Sequence, residues 1–179
     1  MAKSITSDFT ITASMTTGAL GYQTEAIPIG SLIDVADAQA LEVLEVDYIW
    51  QNYDSTNDVY EPVHMNGPFS ADAAFGCQLM DRNAGTWLIA SDNNLISSAA
   101  VWFEATGQYG TGSDFFPDDF DKSSGRFVVN DELYAVLNVP IGTFSGTNKL
   151  ACTVRIRARV VKLSTRDWMA ISLETVQNE

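Results

Sequence analysis

The stretch "CTVRIRARVVKL", residues 152–163, decides the fold class of this 179-residue chain. Its apolar residues recur at every second position, and Arg155, Arg157 and Arg159 occupy positions between them. Successive side chains of a β-strand point to opposite faces, so this period of two predicts a strand with one face toward a core and the other toward solvent. An amphipathic helix would instead repeat its apolar residues at every third or fourth position.

The same alternation recurs on both sides of this stretch. In "LEVLEVDYIWQNY" (41–53) it predicts a half-buried strand, with one face formed by Leu44, Val46, Tyr48 and Trp50. Further strands are predicted in "DFTITASM", "AAFGCQLM", "TWLIA", "SAAVWFEAT", "GRFVV" and "ELYAVLNVPIG", with turn-forming clusters such as "DRNAG" and "SDNN" between some of them. Eight or nine short strands, without alternating long helices, are typical of an all-β sandwich or barrel. We expect one domain over residues 1–179.

Three segments carry a different signal. "EAIPIGSLID" (25–34) contains Pro28 and Gly30, which favour an edge or bulged strand. "DVADAQALEV" (34–43) has room for a helical turn around residues 36–40. "STRDWMAISLETVQ" (164–177) has helical spacing after a capping-box-like Ser164 and Asp167, but it also alternates as a strand would. Of the two, a short C-terminal helix is favoured.

The composition limits the kinds of partner that the chain can bind. Hydrophobic residues make up 46% of the chain and the formal charge is −13, with a sequence pI near 4.2. A folded core is therefore expected, whereas the acidic charge repels phosphate backbones and argues against direct, sequence-specific nucleic-acid binding. The N-terminus lacks the apolar core of a signal peptide, and no apolar run is long enough to span a membrane. We expect synthesis in the cytoplasm, without secretion.

The arginine row is the first candidate site. One interpretation is an anion-binding face formed by Arg155, Arg157 and Arg159. The favoured interpretation is that these cations meet carboxylates on neighbouring strands or neighbouring subunits, because the chain has 23 acidic residues to supply them. The row is therefore a candidate interface.

The segment "GQYGTGSDFFPDDFDKSSG" (107–125) is the second candidate site. It holds four aspartates whose oxygens suit Ca²⁺: Asp114, Asp118, Asp119 and Asp121. Their spacing does not match an EF-hand, and a solvated loop is the favoured alternative. No other cofactor is indicated.

Catalytic patterns are weak throughout the chain. His64 is the only histidine and no nucleophile motif accompanies it, so we expect a structural histidine and no enzyme activity. Cys77 and Cys152 are too few for a zinc site and are expected to be buried.

Aromatic residues suggest two places for a sugar-stacking platform, although core or interface packing is the commoner role of such residues. The first place combines Trp50 with Tyr48 and Tyr53. The second combines Trp87 with Trp102.

Three segments, "IPIGSLIDVADAQALEVLEVDYIWQN", "GRFVVNDELYAVLNV" and "ACTVRIRARVVKLSTRDW", resemble segments of single jelly-roll capsid proteins from tailless icosahedral viruses, including viruses of archaea and marine microbes. The resemblance implies a jelly-roll sandwich of two antiparallel sheets with about eight strands. It also implies a structural virion protein that self-assembles into capsomers and an icosahedral shell, together with other capsid proteins. The family supplies no catalytic residues.

One departure from many shell proteins is the absence of a basic N-terminal arm, since "MAKSITSDF" has a single lysine. Minor proteins or an internal membrane are therefore expected between the shell and the genome. The alternative function is a calcium-assisted carbohydrate-binding or receptor-binding sandwich.

Overall fold

The computed structural model describes residues 2–64, 67–104, 109–111 and 125–176, which form two antiparallel sheets and one C-terminal helix. The first sheet, called sheet I, contains β1 (Lys3–Ser4), β2 (Phe9–Thr17), β4 (Gln39–Asp54), β5 (Val59–Pro62), β9 (Arg126–Val128) and β11 (Lys149–Lys162). The second, called sheet II, contains β3 (Gly21–Pro28), β6 (Ala73–Met80), β7 (Leu95–Phe103), β8 (Tyr109–Thr111) and β10 (Glu132–Ile141). The helix α1 spans Thr165–Val176.

The strand order is that of a jelly roll. Eight of the strands pair in a nested way: β2 with β11, β3 with β10, β4 with β9, and β6 with β7. The chain thus forms one long antiparallel ribbon that folds over into two sheets, with the orders β2–β11–β4–β9 and β3–β10–β6–β7. The short strands β1, β5 and β8 extend these sheets at their edges. The expected all-β jelly-roll sandwich is confirmed.

The core lies between the two sheets and follows the alternation seen in the sequence. On β11 every second side chain from Leu150 to Val160 is buried in it, and on β6 the same holds from Ala73 to Leu79. Cys77 and Cys152 are both fully buried with free thiols, as expected. Burial is the main cause that raises the pKa of the Cys77 thiol.

A β-bulge changes the alternation on β4. Arg157 pairs with Glu45 but Ala158 pairs with Val43, so Leu44 has no partner across β11. Leu41 and Val43 face the core before the bulge, whereas Val46, Tyr48 and Trp50 face it after the bulge. The expectation that Leu44 shares the face of Val46 overlooked this extra residue, which reverses the parity of the strand.

Two segments differ from their expected structure. The stretch 86–90, expected as a strand, has no ladder partner; instead the side chain of Gln78 accepts a hydrogen bond from Leu88 N at 2.8 Å and donates one to Leu88 O at 2.9 Å. The turn expected at 36–40 is a 3₁₀ turn at Val35–Asp37, and it ends where Ala38 adopts a left-handed conformation. Asp34 caps this turn through Ala36 N.

The C-terminal helix α1 covers one end of the outer face of sheet I. Ser164 Oγ accepts a hydrogen bond from Asp167 N at 3.2 Å, which confirms the expected cap. Trp168 donates from its indole to Gln39 O, and it packs on a small cluster that includes Val161. In the part of the chain that the structure describes, no helix has the length and apolar character needed to cross a membrane.

Candidate functional site

The arginine row lies on the outer face of sheet I, and two of its three members form ion pairs within the subunit. Arg157 Nε donates to Glu45 at 2.9 Å, and its Nη1 lies 3.5 Å from a carboxylate oxygen of Asp8. Arg159 Nε donates to Glu42 at 2.7 Å. The side chain of Glu42 is only 9% exposed, so this pair is far more sheltered than that of Glu45, which is 53% exposed. These contacts place two of the cations opposite carboxylates of the neighbouring strand.

Arg155 differs from the other two arginines. It is exposed and lies opposite Asp47 on β4 and Thr12 on β2, but it forms no ion pair within 4.0 Å among the described residues. Arg155 is therefore the one arginine of the row that forms no ion pair with the described carboxylates.

The outer face of sheet II carries a groove between two tryptophans. Trp102 on β7 is 40% exposed, and Trp87 comes from the segment between β6 and β7. The groove has a volume of about 230 Å³ and is bounded on its other side by Asn138 and Pro140 of β10. The structure thus brings together the second of the two aromatic pairs considered for a sugar platform.

Gly76 forms the floor of this groove. A Cβ atom at this position would lie 2.8 Å from Ala99 O and 2.8 Å from Trp87 Cη2, so only glycine lets the indole lie against the sheet. The two hydrogen bonds between Gln78 and Leu88 hold the segment that carries Trp87. A glycine inside an apolar strand is the sequence signal that could have located the groove.

The first aromatic group, Trp50 with Tyr48 and Tyr53, does not form a platform, and that hypothesis was wrong. Tyr48 and Trp50 pack against the core, and Trp50 meets Phe75 edge-on at 5.0 Å. Tyr53 instead pairs with Tyr60 of β5 at 4.9 Å. The physical reason is the bulge of β4, after which the even-numbered side chains point inward.

A buried polar cluster joins the two sheets near the end of β6. Arg126 Nη2 donates to Asp81 Oδ2 at 3.1 Å and also to Asn93 O, while Asp81 N bonds Asn94 O at 3.0 Å. Three buried atoms there lack a hydrogen-bond partner among the described residues: Asp81 Oδ1, Asn94 Oδ1 and Arg126 Nε. Burial raises the pKa of Asp81, and the charge of Arg126 offsets part of that effect. The ion pair between Arg126 and Asp81 connects β9 of sheet I to the segment that follows β6 of sheet II.

The remaining candidate residues are His64 and the four aspartates of the segment 107–125. His64 Nε2 lies 3.1 Å from Glu61 Oε2, next to a Gly67 position that is closely packed on Asn52. The predicted calcium ligands Asp114, Asp118, Asp119 and Asp121 lie outside the described residues. Among the residues that are described, no group of three or more histidine, cysteine or acidic side chains is placed to hold a metal ion.

Comparisons with known proteins give matches in structure only. No protein-family model matches the sequence, and no curated protein matches it. The chain is similar to solved structures of VP1 from Trichodysplasia spinulosa-associated polyomavirus. VP1 in complex with GM1 oligosaccharide has 9% identity and a TM-score of 0.46 over 90% of this chain and 97% of that chain. A second VP1 structure has 7% identity and a TM-score of 0.45 over 90% and 99% of the two chains.

A further VP1 structure, in complex with sialylated precision glycooligomers, has 10% identity and a TM-score of 0.40. It covers 90% of this chain and 98% of that chain. At identities of this size no residue role is carried over to this chain from VP1.

Proposed function

We propose that this chain is a structural coat subunit of a virion, which assembles with copies of itself into capsomers and a shell. The observation that carries the proposal is the nested strand order of the jelly roll, a fold found in viral capsid and lectin domains. The three segments that resemble single jelly-roll capsid proteins favour the capsid over the lectin among these. The coat role requires interfaces between copies and no chemistry within the subunit.

The charge of the chain adds a second element to this proposal. A subunit with a formal charge of −13 does not attract nucleic acid at ordinary ionic strength. A shell of such subunits therefore needs a minor protein or an internal lipid vesicle between itself and the genome. Mutual repulsion of the subunits also makes assembly salt-dependent, because salt screens exposed charges.

Assembly of the purified chain tests the proposal. Sedimentation velocity and negative-stain microscopy are recorded over a range of protein and salt concentrations, with the chain alone and with the coat proteins of its source. We expect oligomers or shells that grow with added salt. A chain that stays monomeric under all of these conditions would contradict the coat function.

A second candidate function is the binding of a carbohydrate by the groove between Trp87 and Trp102. The groove favours this function because sugar rings stack on exposed indoles, while Asn138 offers a side-chain amide for hydrogen bonds. The proposed assistance by Ca²⁺ rests on the four aspartates at 114–121, whose oxygens are suited to that ion.

A glycan array, read with and without a chelator, tests this second function. Replacement of Trp87 or Trp102 by alanine is expected to weaken binding by about 2- to 13-fold, since aromatic contacts contribute ~0.5–1.5 kcal/mol. Trp168→Phe is the control, because Trp168 lies on α1 and packs against the cluster that includes Val161. Equal binding by all three variants, or no binding to any glycan, would remove the carbohydrate function.

A further inference from the structure

One long side of the sandwich presents two edge strands to solvent. Within the described residues, β2 pairs with β11 alone and β3 pairs with β10 alone. Unpaired backbone groups along a strand edge are a template for pairing with another chain, so soluble proteins usually protect such edges with charged side chains, proline or bulges.

The side formed by β2 and the start of β3 carries no charge. Residues 9–24, sixteen in a row, contain neither acidic nor basic side chains nor proline, although 18% of the whole chain is charged. Leu20 and Tyr22 are more than half exposed there, at 55% and 52%. In a subunit of charge −13, this is a surface on which a second subunit would meet no repulsion.

Two cations border this neutral side. Arg155 lies opposite Thr12 of β2, and Lys149 lies beside the turn at Gly18, where its Cγ is 3.4 Å from a Cβ atom built on that glycine. Neither cation forms an ion pair with the residues that the structure describes. The β2 edge is therefore neutral to positive, unlike the chain as a whole.

The opposite edge of sheet I has the complementary character. There β5 pairs with β4 alone among the described strands, and its Val59 and Tyr60 are exposed by 40% and 58%. The hairpin that carries β5 holds three carboxylates, Asp54, Asp58 and Glu61. This edge thus combines exposed apolar side chains with negative charge.

We propose that the β2 edge of one copy of this chain docks on the β5 edge of the next copy. The contact is head-to-tail, because the two edges lie on opposite sides of the same sheet, and such contacts generate rings or extended assemblies. Contact between the exposed apolar side chains of the two edges supplies affinity, and Lys149 and Arg155 facing the carboxylates of the β5 hairpin set the orientation. The inference rests on the proposed coat function and specifies which surfaces perform it.

Two substitutions test the contact from its two sides. Thr12→Asp places a carboxylate on the β2 edge opposite Arg155, so it neutralises that cation while a new cross-strand ion pair supports the fold. Tyr60→Lys places a cation on the β5 edge. Each variant alone is expected to raise the concentration needed for assembly about tenfold or more. Thr86→Asp and Val35→Lys, at exposed positions away from both edges, are the matched controls and are expected to assemble like the wild type.

Mixing the two edge variants separates the possible outcomes. In sedimentation velocity, an equal mixture is expected to form heterodimers, because the intact β5 edge of Thr12→Asp meets the intact β2 edge of Tyr60→Lys. Normal assembly of Thr12→Asp would overturn the proposed contact and leave the coat function standing. An effect of Thr12→Asp without any effect of Tyr60→Lys would also overturn it, since it would indicate a symmetric contact between two β2 edges. A wild-type chain that never assembles would instead contradict the coat function.

Discussion

The arginine row predicts an order of stability effects that depends on burial. Arg159, Arg157 and Arg155 occupy alternate positions of one strand, so they share backbone environment and chemical type. They differ in their partners: Arg159 neutralises Glu42, which is 9% exposed; Arg157 meets two exposed carboxylates; and Arg155 has no ion-pair partner among the described residues. Replacement of each by glutamine keeps the aliphatic stem and removes the charged guanidinium group with its hydrogen-bond donors.

The expected magnitudes follow from what each replacement leaves behind. Breaking a fully buried ion pair costs about 3–5 kcal/mol, because the remaining charge stays unpaired. Arg159 is itself 36% exposed, so water reaches part of this pair, and we expect Arg159→Gln to lower the free energy of unfolding by about 2 kcal/mol. Arg157→Gln is expected to lower it by about 0.2–1 kcal/mol, and Arg155→Gln by less than about 0.5 kcal/mol.

Urea unfolding followed by tryptophan fluorescence measures these differences. A loss of about 2 kcal/mol corresponds to a shift of the midpoint by roughly 1 M urea for a slope near 2 kcal/mol/M. The measurements are made at a low protein concentration, since association would add to the apparent stability. The double variant with Glu42→Gln serves as control, and a coupling of about 1 kcal/mol between Glu42 and Arg159 is expected. Equal midpoint shifts for Arg155→Gln and Arg159→Gln would refute this account of the row.

Three further predictions concern sheet II. Gly76→Ala is expected to lower the free energy of unfolding by about 1–3 kcal/mol in thermal unfolding, because the new Cβ clashes with the Ala99 backbone and the Trp87 ring. An unchanged Tm would show that these neighbours can move to admit the Cβ. Gln78→Leu removes both bonds to the Leu88 backbone, so a red-shifted indole emission is expected, and an unchanged spectrum would count against this anchor. Asp81→Asn tests the raised pKa of that carboxyl. The stabilisation from the protonated Asp81 is fully present below the unfolded pKa of 3.8 and is lost as the pH rises through the higher pKa of the folded state, so the free energy of unfolding of the wild type relative to the variant is expected to fall as the pH rises above 3.8. Parallel curves of stability against pH for the two proteins would contradict this.

The sequence predicted most of the local structure because local structure depends on periodicity within one segment. The alternation in β11 predicted the side chains that face the core from Cys152 to Val160, and Ser164 marked the start of α1. The errors occurred where a distant contact prevailed over the local pattern. The segment 86–90 has apolar residues suited to a strand, but the side chain of Gln78 supplies its hydrogen bonds.

The candidate sites show the same division. The sequence identified Trp87 and Trp102 as one of two aromatic groups, but periodicity could not show which of the two groups lines a groove. The spacing of the arginines gave the face that they occupy, whereas the partners of Arg157 and Arg159 depend on which strand lies beside β11.

The sequence by itself determined that this protein is an all-β sandwich with a C-terminal helix, an acidic surface and an outward-facing arginine row. The tertiary structure alone decided the nested strand order, the reversal of parity at Leu44, and the exposure of the uncharged β2 edge opposite the acidic β5 edge. The physical reason is that side-chain alternation is fixed by the backbone geometry of a single strand. The choice of neighbouring strand arises from packing between residues far apart in the chain, which no single segment encodes.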